Sequence, residues 1–228
     1  MKSDYAFTHS TSGDLALLSR VTLKPGVYGY GAWTDAGPIQ IKNSLINLGT
    51  ANNSVGLMVA NGNGSVSPKS INADHVTIVG GGAYSRGLQV LAMSPVANGA
   101  QLASASLTNS TIKGPAVPID REAQNTSPTN PGQSKATVTT SYSHYNKGAS
   151  VSVNGSHGAG AIVDSHFVPG SPTFVSGGNY TPAPGSILVD AGNPSFSGSV
   201  DLAGNPRVRD GNGDGKAITD LGAYERQP

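Results

Sequence analysis

Short apolar segments, each interrupted by one small polar residue, recur along this chain of 228 residues. The five clearest copies lie at residues 41–46, 74–78, 107–112, 138–142 and 162–167. A second apolar run follows each copy, at residues 56–59, 87–90, 116–119, 149–153 and 172–175. Runs of this length that are rich in Val, Ile and Thr, with Gly, Asn and Pro between them, predict β-strands.

The polar position of the repeat falls on Asn43, Asp74, Asn109, Thr140 and Asp164, and the differences between successive residue numbers are 31, 35, 31 and 24. A repeat of this length built from short strands is typical of a solenoid, because each repeat buries its apolar face only against its neighbours. The predicted fold is therefore all-β: a right-handed parallel β-helix of about five degenerate rungs with an irregular C-terminal cap. The right hand follows from the usual sense of parallel crossovers. The predicted inward residues are Ile41, Val76, Leu107, Val138 and Ile162.

The repeat divides the chain into two parts. We assign residues 1–184 to the β-helix and residues 185–228, where the pattern changes, to a C-terminal segment. Residues 1–37 fit the repeat poorly and are predicted to form an irregular first rung or cap, with a short capping helix over 13–21. Polar stretches without the strand pattern predict long loops. These loops lie at 47–53, 60–69 and 118–135.

Composition excludes several classes of function. Lys and Arg total 14 and Asp and Glu total 13, so the net charge is +1, and no basic cluster marks a nucleic-acid surface. No run of eighteen apolar residues occurs, so no membrane span is predicted. Cys is absent, which excludes disulfides, thiol catalysis and Cys-based zinc sites.

The start of the chain, Met1 to Tyr5, lacks the apolar core of a secretory signal. Two interpretations follow: a cytoplasmic protein, or the mature part of a longer secreted chain. Charged residues make up only 12% of the chain, and Ser, Thr, Asn and Gly are abundant. This composition is more typical of exported bacterial proteins, so we expect a secreted or cell-surface location.

Three sequence blocks stand close together near the C-terminus. They are DAGNP from Asp190, DLAGNPR from Asp201 and DLGAYE from Asp220. In this order they resemble the C-terminal segment of bacterial surface β-helix proteins, often called the choice-of-anchor Q domain. The rest of the chain resembles the pectin-lyase-like superfamily only in its β-helix repeats. The resemblance implies an exported β-helix protein with a surface-anchoring signal after this segment, but no such signal stands before Pro228, and no single activity is implied.

Residues 210–215 read Asp-Gly-Asn-Gly-Asp-Gly. This places oxygen-bearing side chains at positions 1, 3 and 5 and Gly at position 6 of an EF-hand-type loop. Position 12, where an EF-hand has a bidentate Glu, is Leu221 instead. The alternative to a metal site is an Asp/Asn/Gly turn that binds no ion. The predicted Ca²⁺ ligands are the side chains of Asp210, Asn212, Asp214 and Asp220 and the carbonyl of Lys216.

Two pairs of charged residues are candidates for catalysis. Asp74 and Asp164 are the carboxylates of the repeat column, but three strand spacings, roughly 14 Å, would separate them, which is too far for a glycosidase pair. A hydrogen-bonded ladder of side chains is the alternative. Asp120 and Arg121 supply the acidic and basic types that β-helix polysaccharide lyases use, but they are sequence neighbours at the start of a predicted polar loop, where simple solvation is the alternative.

The first functional hypothesis is a non-enzymatic extracellular or cell-surface module that is structural, adhesive or in contact with a polysaccharide or surface glycan. The alternative is a β-helix polysaccharide lyase or glycoside hydrolase acting on acidic polysaccharide. An enzyme needs a base or a carboxylate pair that converges on one groove, and the repeats contain few charges. Tyr28, Tyr30 and Trp33 form an aromatic cluster that could either stack on sugars or cover the first rung.

Overall fold

The computed structural model describes residues 5–10, 13–62, 67–97, 99–198 and 200–228. Regular structure within these ranges consists of β-strands and one 3-10 helix, Lys147–Ala149, with no α-helix. The prediction of an all-β chain is therefore confirmed. No helix in these ranges is long and apolar enough to cross a bilayer. The strands are β1 (Phe7–His9), β2 (Ala16–Ser19), β3 (Thr22–Leu23), β4 (Tyr30–Thr34), β5 (Ile39–Asn47), β6 (Val55–Asn61), β7 (Lys69–Val79), β8 (Arg86–Ser94), β9 (Leu102–Thr108), β10 (Thr111–Lys113), β11 (Val117–Asn125), β12 (Ser134–Ser143), β13 (Val151–Asn154), β14 (Gly158–Ala159) and β15 (Ile162–Phe167).

The strands form two sheets in which paired strands run parallel. The first sheet has the order β1-β4-β6-β8-β11-β13. The second has the order β14-β12-β9-β7-β5-β2, and β3 pairs with β5, β10 with β7 and β15 with β12. Because the chain alternates between the sheets, each strand pairs with strands one passage away, an arrangement compatible with a parallel β-helix. We call each passage a repeat: repeat 1 is β1–β3, repeat 2 β4–β5, repeat 3 β6–β7, repeat 4 β8–β10, repeat 5 β11–β12 and repeat 6 β13–β15.

The predicted inward residues lie in or against one apolar core. Ile41, Val76, Leu107 and Val138 are each at most 2% exposed, and the partly buried Ile162 packs against the same cluster. In the second sheet Ile39 pairs with Ile71 and Val138 pairs with Ile162, so residues of the same type stack on one another. The first sheet contributes the facing column of Ala32, Leu57, Leu88 and Ile119, which are all fully buried. The two sheets therefore enclose the core between them, as stacked repeats require.

Several predicted elements differ from the structure. The short capping helix over 13–21 is wrong, because this stretch contains β2 and β3. Most of the predicted loop over 118–135 is strand, in β11 and β12, and only residues 126–133 connect them. Residues 172–175 form no strand and contribute one isolated bridge, from Phe174 to Pro182. Residues 63–66 of the predicted loop 60–69, and residues 1–4 and 11–12 of the predicted first rung, lie outside the described residues.

One residue in each repeat bends the second sheet. Its backbone φ lies between 45° and 56°, in the left-handed region that most L-residues avoid. The strand registers place these bends opposite one another; Lys42 pairs with Asp74, for example, immediately before two of them. The polar positions of the predicted repeat therefore do not all coincide with the bends. Asp74 lies one residue before its bend, and Thr140 and Asp164 each lie two residues before theirs. The left-handed column consists of Arg20, Asn43, His75, Asn109, Tyr142 and His166.

Serine hydroxyls join successive repeats immediately after the bend. Ser44 Oγ accepts a hydrogen bond from the N–H of Val21 at 3.2 Å, and Ser110 Oγ accepts one from Val76 at 3.0 Å. Ser143 Oγ accepts in the same way from Ser110 at 3.1 Å. Each hydroxyl also donates to the carbonyl two residues earlier in its own strand. These bonds satisfy backbone groups that the bend removes from the regular ladder.

The C-terminal segment, residues 185–228, lies along the left-handed column. Arg207 Nε donates to Asn43 Oδ1 at 2.8 Å, and the N–H of Asn193 donates to Asn109 Oδ1 at 2.8 Å. Farther along, His75 Nε2 lies 3.0 Å from Thr219 Oγ1. The predicted C-terminal cap therefore covers one side of repeats 2 to 4 and does not close the end of the stack.

A buried ion pair lies at the centre of this segment. Arg207 Nη1 is 3.3 Å from Glu225 Oε2, and both side chains are fully buried. Arg207 Nη2 also donates to the carbonyls of Gly222 and Ala223. Burial is the main influence on the pKa of Glu225, which it raises, while hydrogen bonds and Arg207 act in the opposite direction. The ion pair and its hydrogen bonds offset the free-energy cost of removing both charges from water.

The three sequence blocks of the C-terminal segment supply the acceptors of one hydrogen-bonded network. Asp201 Oδ2 accepts the N–H of Glu225 at 3.0 Å. Asp220 accepts the N–H groups of Asp190 at 2.8 Å and of Arg226 at 2.6 Å. Asp190 in turn accepts from Gly211 and Asn212. The conspicuous Asp and Glu residues of these blocks therefore hold the irregular backbone in place.

We expect Glu225→Gln to lower the free energy of unfolding by about 3–5 kcal/mol, because it leaves the charge of Arg207 buried without its partner. The change is measured as the shift of the urea unfolding midpoint. Glu122→Gln, on the partly exposed face of β11, is the matched control and should change stability by less than about 0.5 kcal/mol. Equal losses in the two variants would contradict a stabilising role for the buried pair.

Candidate functional site

A groove of about 600 Å³ lies where the chain passes from the second sheet to the first. Its walls are the stretches after repeats 4, 5 and 6, within residues 112–118, 144–148 and 167–172. Stacked repeats place these stretches side by side, so one groove is built from residues far apart in the sequence. Its lining includes Lys113, Pro115, His144, Lys147 and Phe167.

The groove carries positive charge. Lys113 Nζ donates to the carbonyl of Pro172 at 2.6 Å, and the half-exposed Lys147 lies over the ring of Phe167 at 3.9 Å. Among the described residues that line it there is no Asp or Glu. The charge of Lys147 is shared with Asp164, whose Oδ2 lies 2.8 Å from Lys147 Nζ, and the two ammonium groups together favour an anionic ligand over a cationic one. The ring of Phe167 and the prolines supply apolar surface beside these charges.

Asp164 lies behind this wall and fixes its geometry. Its Oδ2 is 2.8 Å from Lys147 Nζ, and its Oδ1 accepts hydrogen bonds from Thr140 at 2.5 Å and from Tyr145 at 2.7 Å. Burial alone would raise the pKa of Asp164, but the hydrogen bonds from Lys147, Thr140 and Tyr145 outweigh it and lower the pKa. Burial and Asp164 together raise the pKa of Tyr145, so its phenol stays protonated. Both oxygens of Asp164 are occupied, which makes it a positioning group for Lys147.

Asp120 and Arg121 do not form a catalytic pair. They lie on opposite faces of β11, because successive side chains of a strand alternate. Asp120 accepts from Arg86 Nε at 2.6 Å and from Gln89 at 2.9 Å on the outer face. Arg121 is fully buried and donates to Ser152 and Asn154. The catalytic role considered for Arg121 stays a prediction without support from this geometry, because its guanidinium is fully buried.

Asp74, whose side chain is 30% exposed, is joined to two buried polar groups, His75 and Thr219. His75 Nδ1 is 2.9 Å from Asp74 Oδ1, and His75 Nε2 is 3.0 Å from Thr219 Oγ1. The order acid, imidazole and hydroxyl resembles a hydrolytic triad, but His75 and Thr219 are each only 1% exposed. Phe196 packs against the imidazole with a ring-centre distance of 4.4 Å. This chain of groups joins β7 to the C-terminal segment and offers no access to a substrate.

The loop at 210–215 has the internal turns expected of an Asp/Asn/Gly loop. Asp210 accepts the N–H of Gly213 at 2.7 Å and of Gly215 at 2.8 Å, and Asp214 accepts that of Lys216 at 2.9 Å. Asp220 does not belong to the loop's ligand set, because it is fully buried and both its oxygens accept backbone N–H groups. In the described part of the chain, no three His, Asp or Glu side chains group closely enough to hold a metal ion. Calcium binding by Asp210, Asn212, Asp214 and the Lys216 carbonyl stays a prediction.

Comparison of the chain with protein-family models, with curated proteins and with solved structures gives no match. The functional interpretation therefore depends on the residues and their arrangement. Sequence reasoning missed Lys113, His144 and Lys147, because they belong to no motif. A signal was present: Lys113 ends β10, and His144 and Lys147 follow β12, so all three lie where a strand of the second sheet ends in successive repeats.

We expect His75 to make stability depend on pH. Burial lowers the pKa of His75 below its ordinary 6.5; the hydrogen bond to Asp74 opposes this shift and the charge of Arg207 adds to it. The unfolded chain therefore binds a proton more readily than the folded chain, and stability is lost as pH falls below about 6.5. His75→Asn should reduce this loss, because Asn does not titrate and tolerates the left-handed backbone of Asn43 and Asn109.

The measurement is the urea midpoint of both proteins at pH 7.5 and at pH 5. His144 has a lowered pKa through burial and remains in both proteins, so the difference between them isolates His75. An identical pH dependence in the two proteins would contradict this role for His75.

We expect millimolar Ca²⁺ to raise the melting temperature, because three oxygen-bearing side chains and a carbonyl form an incomplete EF-hand-type set. Asp214→Asn should remove the rise while keeping the turn, since its amide oxygen can still accept from Lys216. Asp14→Asn, at an exposed position outside the loop, is the control. An unchanged melting temperature of the parent in Ca²⁺ would exclude the site.

Proposed function

We propose that the chain is a right-handed parallel β-helix module of an exported bacterial surface protein, and that it binds acidic polysaccharide in the groove between Lys113 and Lys147. The observation that carries the ligand class is the pair of lysines and a histidine on a groove whose described lining contains no Asp or Glu. Uronate carboxylates are anions spaced along a polymer, and ammonium groups bind carboxylates through charge-assisted hydrogen bonds.

The architecture supports an elongated ligand. Parallel strands that alternate between two sheets need a crossover in every repeat, and such crossovers are right-handed in nearly all proteins. The groove runs along three successive repeats, roughly 10 Å of stack, which suits a chain better than a compact metabolite. The resemblance of the three C-terminal blocks to the choice-of-anchor Q domain supports the surface location.

A second candidate function, polysaccharide lyase, is favoured by His144. Its Nδ1 lies 2.9 Å from the carbonyl of Val168, so Nδ1 carries the proton and Nε2 is left with a lone pair. Burial lowers the pKa of His144, the Val168 carbonyl opposes that shift and Lys113 adds to it, so the ring is neutral at pH 7. His144, which is 6% exposed, and the two lysines of the same groove are the types of group that β-elimination from a uronate needs, a base and a cation that neutralises the carboxylate.

We expect the chain to bind polygalacturonate and alginate, with affinity falling as salt is added, and to bind neutral dextran at least tenfold more weakly. Lys113→Gln and Lys147→Gln should each weaken binding about tenfold or more, because a hydrogen bond to a charged group contributes about 1.5–3 kcal/mol. Affinity is measured by calorimetry.

Lys24→Gln, at an exposed position outside the groove, removes the same charge and should leave affinity unchanged. Equal effects of all three substitutions would attribute binding to net charge and exclude the groove. The same samples are assayed for unsaturated uronate ends. If unsaturated uronate ends form with the parent protein and not with His144→Gln, the protein is a polysaccharide lyase and the proposal of a binding module is wrong.

A further inference from the structure

Two tyrosines occupy backbone conformations that disfavour them and gain no burial there. Tyr28 has a φ of 61° and Tyr84 a φ of 60°. Their side chains are 47% and 72% exposed. The left-handed region suits Gly and Asn, and an aromatic residue there is an outlier that packing normally has to stabilise. Here the rings project into solvent, so packing does not account for them.

The backbone imposes this conformation at one register position of successive repeats. Tyr30 pairs with Val55 and Val55 with Arg86, so Tyr28, Asn53 and Tyr84 occupy equivalent positions two residues earlier. Asn53, between the two tyrosines, has a φ of 54° and is a residue type that tolerates it. Nothing in the backbone therefore requires a tyrosine at either position.

The loops that carry the two rings stack directly on one another. The N–H of Tyr28 donates to the carbonyl of Asn52 at 3.4 Å, and that of Asn53 donates to Ala83 at 3.0 Å. A Cβ added to Gly80 would lie 2.5 Å from the carbonyl oxygen of Gly49, which shows how closely these loops approach. We call the stacked loops around residues 28, 53 and 84 the ridge. The two phenol rings project from it two strand spacings, or roughly 10 Å, apart.

The ridge continues into the groove. Arg86 pairs with Val117, so the equivalent of Tyr84 in the next repeat is Pro115, which lines the groove beside Lys113. The N–H of Gly80 donates to the carbonyl of Lys113 at 3.2 Å, so the loops of repeats 3 and 4 are in contact. Tyr28, Tyr84 and the lysine groove therefore follow one another along the same side of the stack.

We infer that Tyr84 and Tyr28 extend the lysine groove into a track for a single polysaccharide chain, whose sugar rings stack on the phenol rings. Tyrosine suits this task because its ring is large, rigid and amphipathic, and little side-chain entropy is lost on binding. The exposed Asn52 on the neighbouring loop adds a polar side chain of the kind that sugar hydroxyls bind. This inference rests on the proposed function, because it names the path of the same ligand beyond the groove.

The test compares two lengths of one ligand. Tyr28 lies roughly 14 Å along the stack from Pro115, so a trigalacturonate in the lysine groove cannot reach it and a decagalacturonate can. The parent should bind the decamer more tightly than the trimer. Tyr28→Asn should weaken decamer binding about five- to tenfold and leave trimer binding unchanged. The same variant should raise the melting temperature, because Asn relieves the strained backbone.

Tyr5→Asn is the matched control, since Tyr5 is 44% exposed but stacks on Tyr30 and Trp33 away from the ridge. It should leave the affinity for both oligomers unchanged. Normal trimer binding with equal decamer affinity in the parent and in Tyr28→Asn would overturn the track while the lysine groove stands. Failure of the parent to bind either oligomer would overturn the proposed function and the track together.

Discussion

One left-handed residue in every repeat is the constraint on which the structure depends. It bends the second sheet at the same register position six times, at Arg20, Asn43, His75, Asn109, Tyr142 and His166. Because the bends coincide, the backbone groups they free face equivalent groups in the neighbouring repeat, and serine hydroxyls can satisfy them. The side chains at the bends lie along one side of the stack, and the C-terminal segment binds three of them, on repeats 2 to 4.

The C-terminal segment compensates for its lack of regular structure with buried charge. Asp201, Asp220 and Glu225 accept backbone N–H groups that a strand would satisfy through its ladder. Close packing of acids has a cost: burial and the charge of Glu225 raise the pKa of Asp220 to about 7. By linkage, Asp220 makes the fold less stable as pH rises from about 4 to 7, whereas His75 makes it less stable as pH falls below about 6.5. The two effects oppose each other around neutral pH.

Much of the fold could be predicted because strands and inward residues are properties of short sequence stretches. Ile41, Val76 and Val138 were identified from alternation alone, and alternation is what burial in a sheet requires. Register was harder, because the bend accepts Asn, His, Tyr and Arg alike and has no single residue signature. The burial of Arg121 was missed for a related reason: a charged residue predicts solvent exposure unless the chain supplies hydrogen-bond acceptors, and Ser152 and Asn154 do so one repeat away. The groove could not be predicted at all, because its lysines become neighbours only through stacking.

The distribution of carboxylates bears on whether the groove binds or cleaves. Asp74, Asp120 and Asp164 are each held by side-chain partners, namely His75, Arg86 and Lys147. Burial would raise the pKa values of Asp74 and Asp164, but their hydrogen bonds and ion pairs outweigh it and lower both, so these two carboxylates are poor general acids for glycoside hydrolysis. The groove is lined instead by Lys113, Lys147 and His144, the groups on which the proposed binding of a uronate depends. Within that proposal, a binding module and a polysaccharide lyase differ in one step, the removal of a proton from the uronate by Nε2 of His144.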